Sequence, residues 1–309
     1  MRIVILSRQP ALYSTRALFE AARQRGHEVQ VLDTLQFDIR VSRRNPELFY
    51  QGEPVGPVDA VIPRIGASIT SYGLAVVRQF EMMGVYCVNE SQAIARSRDK
   101  LRCLQVLSRH DIGLPPTVYT RQAEHIQGCV ERVDGPPVVV KLLQGTQGIG
   151  VVLAETAPGA SSVIEAFHGL EQEILIQKFI KEAKGADIRA LVVGRKVAAA
   201  MKRTAVSGEF RSNLHRGGKA AKVRLKPEYR KTALAAARVL GLRVAGVDMI
   251  ESDEGPMVME VNSSPGLEGI QRTTGVDVAE DVIELIEHEL APARPGRRPP
   301  GKAKKRRVD

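Results

Sequence analysis

The chain has 309 residues, of which 43% are hydrophobic and 26% are charged, and it contains no tryptophan. This composition is typical of a globular protein with one large or two smaller domains, and no apolar run is long enough to cross a membrane. The net charge is +10, but residues 294–309 alone hold eight basic residues and one acidic residue. The other residues therefore include 37 basic and 34 acidic ones, so the high net charge describes the end of the chain and does not indicate a basic binding face on the folded part.

The three cysteines, Cys87, Cys103 and Cys129, are widely spaced and form no C-x-x-C motif. Neither a zinc site nor a disulfide framework is expected, and reduced thiols indicate a cytoplasmic protein. The apolar stretch at the start, "MRIVILSRQP", is too short for a signal peptide and is predicted to be a buried strand.

The first ninety residues alternate between short apolar strands and helices. The predicted strands are "RIVILS", "HEVQVLD", "DAVIPRIG" and "VYCVN", and the predicted helices are "ALYSTRALFEAARQRG" and "SYGLAVVRQFEMMG". This alternation indicates an α/β domain with a parallel sheet over residues 1–90. The dinucleotide fingerprint G-x-G-x-x-G does not follow the first strand.

The pattern changes at Ser91 to that of an α+β domain, predicted over residues 91–291. A single helix, "SQAIARSRDKLRCLQVLSRH", is predicted first, capped by Asn89 or Ser91. The strands that follow are "PPVVVKLL", "GVVLAE", "EILIQKFI", "DIRALVVG", "KVAAAMKR", "VAGVDMIES" and "PMVMEVN", and the later helices are "PEYRKTALAAARVLG" and "DVAEDVIELIEHEL". Residues 292–309 are rich in Pro, Gly and basic residues and are predicted to be a disordered basic tail.

A glycine-rich loop, residues 145–150, lies between two predicted strands, and Lys141 is in the first of them. The order strand, loop, strand excludes a P-loop, which needs a helix after the loop. The loop amides could still form an anion nest, with Lys141 as a charge beside it. An ordinary hairpin turn with a surface lysine has about equal weight on this pattern alone.

Two later strands carry acidic residues among apolar ones. Asp248 lies in "VAGVDMIES", and Glu260 and Asn262 share one face of "MEVN". Buried acids need partners, and two carboxylates with one amide oxygen favour Mg²⁺ or Mn²⁺ that also binds phosphates. The alternative is an acid that pairs only with an arginine.

Basic residues gather in the strands and the loop between these features. Asp187 and Arg189 share a strand face, and Arg203 ends the next strand. We predict that Arg189, Arg203 and Arg211 stabilise a transferring phosphoryl group or bind substrate carboxylates. For the loop residues after Arg211, a solvated basic loop is the competing interpretation.

Together these motifs resemble the RimK family of the ATP-grasp superfamily, whose members ligate L-glutamate to the C-terminus of a small-subunit ribosomal protein. The similar segments are "MRIVILSR", "AVIPRIG", "NESQAIARSRDKL", "VVKLLQGTQGIGVVLAET", "DIRALVVG", "FRSNLHRGG", "AGVDMIES" and "MEVNSSPGLEGI". They extend over nearly the whole chain to about residue 290. The resemblance implies an ATP-grasp fold behind a pre-ATP-grasp domain, with a central lid subdomain at about 112–180 and a C-terminal subdomain at about 181–291.

The resemblance also implies site residues. Those for ATP are Lys100, Lys141, Gly145, Thr146, Gln147, Gly148, Gly150, Lys178, Phe179, Asp187, Arg211, Ser212 and Asn213. Lys100 and Lys141 would contact the phosphates beneath the loop, the backbone at Lys178 and Phe179 would bind adenine, and Asp187 would bind ribose. The metal ligands, for two Mg²⁺ ions or Mn²⁺, would be Asp248, Glu260 and Asn262.

One position departs from the family pattern. Where Lys178 stands, such families usually have an acid that accepts a hydrogen bond from the adenine amino group. Lysine has no acceptor, so either backbone carbonyls bind the adenine or adenine selectivity is weakened.

The expected activity is ATP-dependent ligation of L-glutamate to a ribosomal protein tail through an acyl phosphate, with release of ADP and phosphate. The resemblance also implies a homo-oligomer. One alternative is an ATP-grasp ligase that joins an amino acid to a small cofactor or carrier protein. A non-enzymatic protein that binds ribosomal RNA through its basic tail is an alternative of another class, and a ligase docked on RNA by that tail would combine the two.

Overall fold

The computed structural model describes residues 1–121, 125–143, 150–206, 209–212 and 217–291. The strands are β1 (Arg2–Leu6), β2 (Glu28–Leu32), β3 (Phe37–Arg40), β4 (Glu47–Tyr50), β5 (Glu53–Pro54), β6 (Ala60–Pro63), β7 (Tyr86–Cys87), β8 (Thr117–Thr120), β9 (Val138–Leu142), β10 (Val151–Ala154), β11 (Ile174–Lys178), β12 (Ala186–Val193), β13 (Lys196–Thr204), β14 (Lys219–Lys222), β15 (Val244–Ser252) and β16 (Gly255–Asn262). The α-helices are α1 (Tyr13–Gln24), α2 (Thr70–Met82), α3 (Ser91–Arg98), α4 (Lys100–Arg109), α5 (Ile126–Glu131), α6 (Ala157–Gly169), α7 (Pro227–Leu240), α8 (Glu268–Thr274) and α9 (Val278–Leu290).

The amino-terminal sheet is parallel, in the order β2-β1-β6-β7. Alternate residues of β1 face opposite layers, so Ile3 and Ile5 pack with α1 and α9, while Val4 and Leu6 pack with α2. Each such buried side chain contributes about 1.5–3 kcal/mol. The prediction of a parallel sheet with helices on its faces is confirmed.

A small antiparallel sheet, β3-β4-β5, follows β2 and was not predicted. Its strands are two to four residues long, and Pro54 ends the last of them. Phe37 and Leu48 are buried in the same core as Phe80 of α2. Strands this short have too few alternating residues to show a period.

The helix predicted after Ser91 is two helices, because Asp99 interrupts it. Asp99 has an extended backbone, and its side chain accepts a hydrogen bond from the amide of Arg102, which caps α4. The predicted caps were wrong. The side chain of Asn89 binds the backbone of Arg243 and Val244 instead, and the hydroxyl of Ser91 donates to Glu81.

The second sheet is antiparallel, in the order β10-β9-β11-β8, and α5 and α6 cover one face. Strands β9 and β10 form the hairpin that carries the glycine-rich loop, with Lys141 opposite Val151. Thr156 caps α6, which the sequence analysis did not predict, although Pro158 falls in the first turn, where proline is favoured.

The third sheet is antiparallel, in the order β14-β13-β12-β15-β16. One face of β12, with Ile188, Ala190 and Val192, packs on α7. On the other face Leu191 and Val193 pack with α9. Asp187 and Arg189 are at the other end of that second face, so a polar site begins where the apolar core ends.

None of the helices in the described ranges has both the length and the apolar character needed to span a membrane.

Candidate active site

A row of charged side chains crosses the third sheet from β13 to β16. Arg203 is paired in register with Asp187, Arg189 with Asp248, and Asp248 with Glu260. Residues directly opposite on neighbouring strands lie on the same face. The register therefore brings together residues that are far apart in the sequence.

Asp248 is at the centre of this row and is only 2% exposed. Arg189 donates to both of its oxygens, at 2.6 Å from Nε and 2.5 Å from Nη2, and Arg203 Nη2 is 3.0 Å away. Burial opposes ionisation of Asp248, but the two arginines outweigh it and hold the pKa of this carboxyl well below its usual range. Asp248 is therefore ionised at neutral pH.

Asp187 and Arg203 form a second ion pair, in which each side chain is 4% exposed. Arg203 Nε donates to one carboxylate oxygen of Asp187 at 2.6 Å, and Arg203 Nη2 donates to the other. The hydroxyl of Ser212 adds a hydrogen bond to Asp187. Both oxygens of Asp187 thus have a protein partner, and its role at a ribose remains a prediction.

Replacement of Asp187 by asparagine should lower the free energy of unfolding by about 1.5–3 kcal/mol, because it removes one of the two carboxylates that accept from the buried Arg203 guanidinium and leaves only Asp248 as its partner. Urea denaturation followed by circular dichroism measures this. The control is Lys202→Met, which breaks a pair with Glu251 whose side chains are 41% and 39% exposed and should cost about 1 kcal/mol or less. Equal effects of the two substitutions would contradict the assigned pairing.

Glu260 and Asn262 occupy the edge of the same row. The Asn262 amide donates to Glu260 at 3.0 Å, and half of the Glu260 side chain is exposed. Partial desolvation of its carboxyl by the surrounding site, and then the negative charge of Asp248, raise the pKa of Glu260. Two adjacent carboxylates with an amide oxygen form a hard oxygen set that a divalent cation would stabilise.

No group of three or more His, Cys, Asp or Glu side chains suited to a metal is found in the part of the chain that the structure describes. The donor set here is two carboxylates and one amide. Such a set fits an ion that takes its remaining ligands from phosphate and water, as Mg²⁺ does.

Two lysines, Lys141 on the second sheet and Lys100 on α4, lie near Glu260. Lys141 Nζ donates to Gln177 Oε1 at 2.6 Å, and Lys100 Nζ donates to the carbonyl of Leu142 at 2.9 Å. Burial and then the charge of Lys100 lower the pKa of Lys141 to about 8, against the attraction of Glu260. Burial likewise lowers the pKa of Lys100. The structure thus places both predicted lysines near Glu260.

Gln177 was not predicted as a site residue. It is 4% exposed, it accepts from Lys141, and its amide donates to Thr117 Oγ1 at 2.8 Å. Gln177 therefore fixes the direction of the Lys141 side chain. One feature of the sequence could have indicated its role. Gln177 is a polar residue among apolar ones in β11, and it is two positions after Leu175, which pairs with Lys141.

Arg211 connects the third sheet with the hairpin. It donates to both oxygens of Glu209, at 3.0 Å from Nε and 2.7 Å from Nη2, and to the carbonyl of Val151 at 3.3 Å. The Arg211 hydrogen bonds lower the pKa of Glu209 to about 2. Glu209 was not predicted from the sequence, because it lies in no predicted strand and no alternation of residues indicates which way its side chain faces.

At the end of β11, Lys178 forms an ion pair with Asp134 at 2.8 Å. The amide of Phe179 donates to the carbonyl of Pro137 at 3.3 Å, and its ring meets Phe210 edge-on. The predicted adenine contacts of Lys178 and Phe179 stay predictions. Lys178 therefore has an acid beside it. That acid, Asp134, lies in the connection between α5 and β9 and not at position 178, where the family pattern has one.

Several predicted site residues, Gly145, Thr146, Gln147, Gly148 and Asn213, lie outside the described residues, as does the basic tail. Gly150 is described. Its φ of +70° is left-handed, and a Cβ there would lie 2.5 Å from Leu142 Cδ1. Glycine is required at this end of the loop.

The assembled site has an acidic edge opposite two lysines, with arginines held in fixed directions around it. Lysines and a cation on paired carboxylates are the groups that bind and polarise nucleotide phosphates. The arrangement suits transfer of a phosphoryl group.

Comparison with known proteins agrees with this geometry. Residues 97–286 match the RimK-like ATP-grasp domain, and residues 1–94 match the RimK pre-ATP-grasp domain. A protein of Picosynechococcus sp. named "Probable alpha-L-glutamate ligase" is 60% identical over 294 residues, which cover 95% of this chain and 98% of that protein. A protein of Pseudomonas fluorescens with the same name is 61% identical over 292 residues, covering 94% and 97%.

Solved structures show the same fold. The RimK domain ATP-grasp protein from Sphaerobacter thermophilus has a TM-score of 0.68 and 25% identity, covering 93% of this chain and 99% of that one. The ATP-grasp ligase PsnB, solved with a precursor variant, Mg and ADP, has a TM-score of 0.72 at 19% identity, covering 93% and 98%. The second likeness concerns the fold alone.

Proposed function

The chain belongs to the RimK family of ATP-grasp ligases, and from this premise we propose that it adds L-glutamate to the C-terminal carboxylate of a small-subunit ribosomal protein. As an ATP-grasp ligase it forms amide bonds at the expense of ATP. The observation that carries the proposal is the acidic pair Asp248–Glu260 facing Lys100 and Lys141. Glutamate as substrate is supported by the names of relatives about 60% identical over nearly the whole chain.

The reaction needs activation because a carboxylate is a poor electrophile. An oxygen of the acceptor carboxylate attacks the γ-phosphorus of ATP, the bond to the β-γ bridging oxygen breaks, and ADP leaves. The amine of glutamate then attacks the acyl phosphate, loses a proton and displaces phosphate. Phosphate departs with one oxygen of the original carboxylate, and an amide bond remains.

The lysines would act on the phosphates. Lys141, aimed by Gln177, and Lys100 would bind the β- and γ-phosphates and neutralise the charge that develops on the transferring group. Both are already positioned by hydrogen bonds, so little reorganisation is needed when ATP binds.

Asp248, Glu260 and Asn262 fit Mg²⁺ or Mn²⁺. Such an ion, when bound, would polarise the phosphoryl oxygens as a Lewis acid. Arg189 and Arg203 hold Asp248 in place, so in the proposal they act first as positioning residues for the metal site. Arg211, held between Glu209 and Val151, would close the phosphate end of the site.

The direct test is an acceptor assay. Purified protein with ATP, MgCl₂, L-glutamate and the ribosomal acceptor should release ADP and increase the acceptor mass by whole glutamate residues in mass spectrometry. A set of carrier proteins and small carboxylates serves as the comparison. ADP release with one of these, and none with the ribosomal protein, would reject the proposed acceptor.

ATP binding should take up protons near pH 8. The pKa of Lys141 is about 8, so about half of this group is neutral at pH 8, and the phosphates would raise its pKa on binding. Calorimetry in buffers of different ionisation enthalpy should show uptake of up to about half a proton per ATP at pH 8. The uptake should fall toward pH 6.5 and be smaller in Lys141→Met, and equal uptake in that variant would contradict the assignment.

A further inference from the structure

Two arginines lie close together where the amino-terminal sheet meets the loop after β16. Arg64 directly follows β6, and its Nη1 donates to the carbonyl of Pro265 at 2.9 Å. Arg98 ends α3, and its Nη2 donates to the carbonyl of Ile65. Each guanidinium is thus fixed by a backbone carbonyl, which directs it but does not neutralise its charge.

Neither arginine has an acidic partner in the described ranges. Burial lowers the pKa of Arg64 to about 10, and the nearby charge of Arg98 lowers it further in the same direction. Burial alone lowers the pKa of Arg98, whose Nε is buried without a hydrogen-bond partner. Two adjacent, partly buried cations with no counter-charge are unfavourable unless an anion binds between them.

The other site arginines differ in this respect. Arg189 binds Asp248, Arg203 binds Asp187, and Arg211 binds Glu209. Their charges are already balanced by protein carboxylates. Arg64 and Arg98 are therefore the better candidates for a carboxylate that arrives with a substrate.

The pair is next to the reaction site. Pro265 is three residues after Asn262, and the hydroxyl of Ser264 donates to the carbonyl of Pro63 at 3.3 Å. Arg98 is two residues before Lys100, at the break between α3 and α4. An anion held by both guanidinium groups would lie between the edge of the parallel sheet and the segments that carry the phosphate-binding and acidic residues.

The chemistry of the attacking amino acid matches this pair. Glutamate must lose its ammonium proton to attack, and it then carries two carboxylates and no positive charge. Guanidinium groups bind carboxylates through two parallel hydrogen bonds. We infer that Arg64 and Arg98 bind the carboxylates of the incoming glutamate and set the selectivity for a dicarboxylic amino acid; this inference rests on the proposed function.

The test compares Arg64→Gln and Arg98→Gln with the wild-type protein in steady-state kinetics. With ATP and acceptor saturating, each variant should raise the KM for L-glutamate about 10- to 100-fold, while the KM for ATP changes less than about twofold. The preference for L-glutamate over L-glutamine should fall in parallel, which a purely structural role would not produce. Arg109→Gln, at an exposed position on α4, is the matched control.

An unchanged KM for L-glutamate would overturn the inference. So would an equal rise in the KM for L-glutamate and the KM for ATP with an unaltered preference for L-glutamate over L-glutamine. If a glutamine variant does not fold, Arg64→Lys and Arg98→Lys keep the charge but lose the two parallel bonds, and the same shift in preference is expected. If turnover by the wild-type protein does not depend on glutamate, the proposed function is rejected, and the inference is rejected with it. Glutamate-dependent wild-type turnover with unaffected variants would reject the inference alone.

Discussion

Replacing Lys141 by methionine should lower the rate of ADP formation about 100- to 1000-fold, because it removes a preorganised cation from the transferring phosphoryl group. Methionine keeps much of the length and apolar contact of the lysine stem. Burial lowers the pKa of Lys141 to about 8, so a charged lysine here lowers the stability of the protein without ligand. The variant removes this cost but also leaves the buried Gln177 amide oxygen without its donor, so its melting temperature should change little while it loses activity.

The measurement is a coupled ADP assay together with a thermal denaturation curve. Lys231→Met, at an exposed position on α7, should keep the wild-type rate. Near-normal ADP formation by Lys141→Met would remove Lys141 from the mechanism. A large fall in its melting temperature would mean that the loss of activity reflects folding.

Glu260→Gln should cause a loss of similar size, at least about 100-fold in kcat, because the amide cannot supply the negative charge that a divalent cation needs. The substitution hardly changes the volume. It also removes repulsion with Asp248, which together with burial raises the pKa of Glu260. The free energy of unfolding without metal should therefore not decrease.

Metal titrations of the activity distinguish a ligand from a structural residue. If Glu260 holds the ion, the Mg²⁺ concentration for half-maximal activity should rise in the variant, and Mn²⁺ should restore more activity than Mg²⁺. Asp253→Asn, in the exposed turn between β15 and β16, is the control and should titrate like the wild type. Identical metal titrations of Glu260→Gln and the wild type would contradict the metal role.

The sequence predicted the parts of the fold in which apolar residues recur with the period of a strand or a helix. The apolar strands β1, β2 and β6 and the helices between them identify the parallel sheet. The alternation of Glu260 and Asn262 on β16 placed them on one face, and the register with Asp248 confirms that the two carboxylates are neighbours. Elements with few residues, such as β3 to β5, gave no comparable signal.

The ion pairs could not be predicted, because they depend on which strands are neighbours. The roles of Arg189 and Arg203 at a phosphoryl group or a substrate carboxylate stay predictions. What the sequence does not specify is the strand pairing through which both donate to Asp248. Arg64 directly follows strand β6, and Arg98 is the last residue of helix α3. No periodic pattern of residues therefore identifies either of them as a site residue. Asp99 could equally belong to a helix interior, and only its cap on α4 shows that the helix is broken there.

The most direct test of the central claim, that this site couples ATP cleavage to activation of a carboxylate, is oxygen transfer. The acceptor is prepared with ¹⁸O in its C-terminal carboxylate, and the phosphate released during ligation is analysed by mass spectrometry. One labelled oxygen per phosphate is the result that an acyl phosphate formed at Lys100, Lys141 and the Asp248–Glu260 pair predicts. Amide formation with phosphate that contains no label would contradict it.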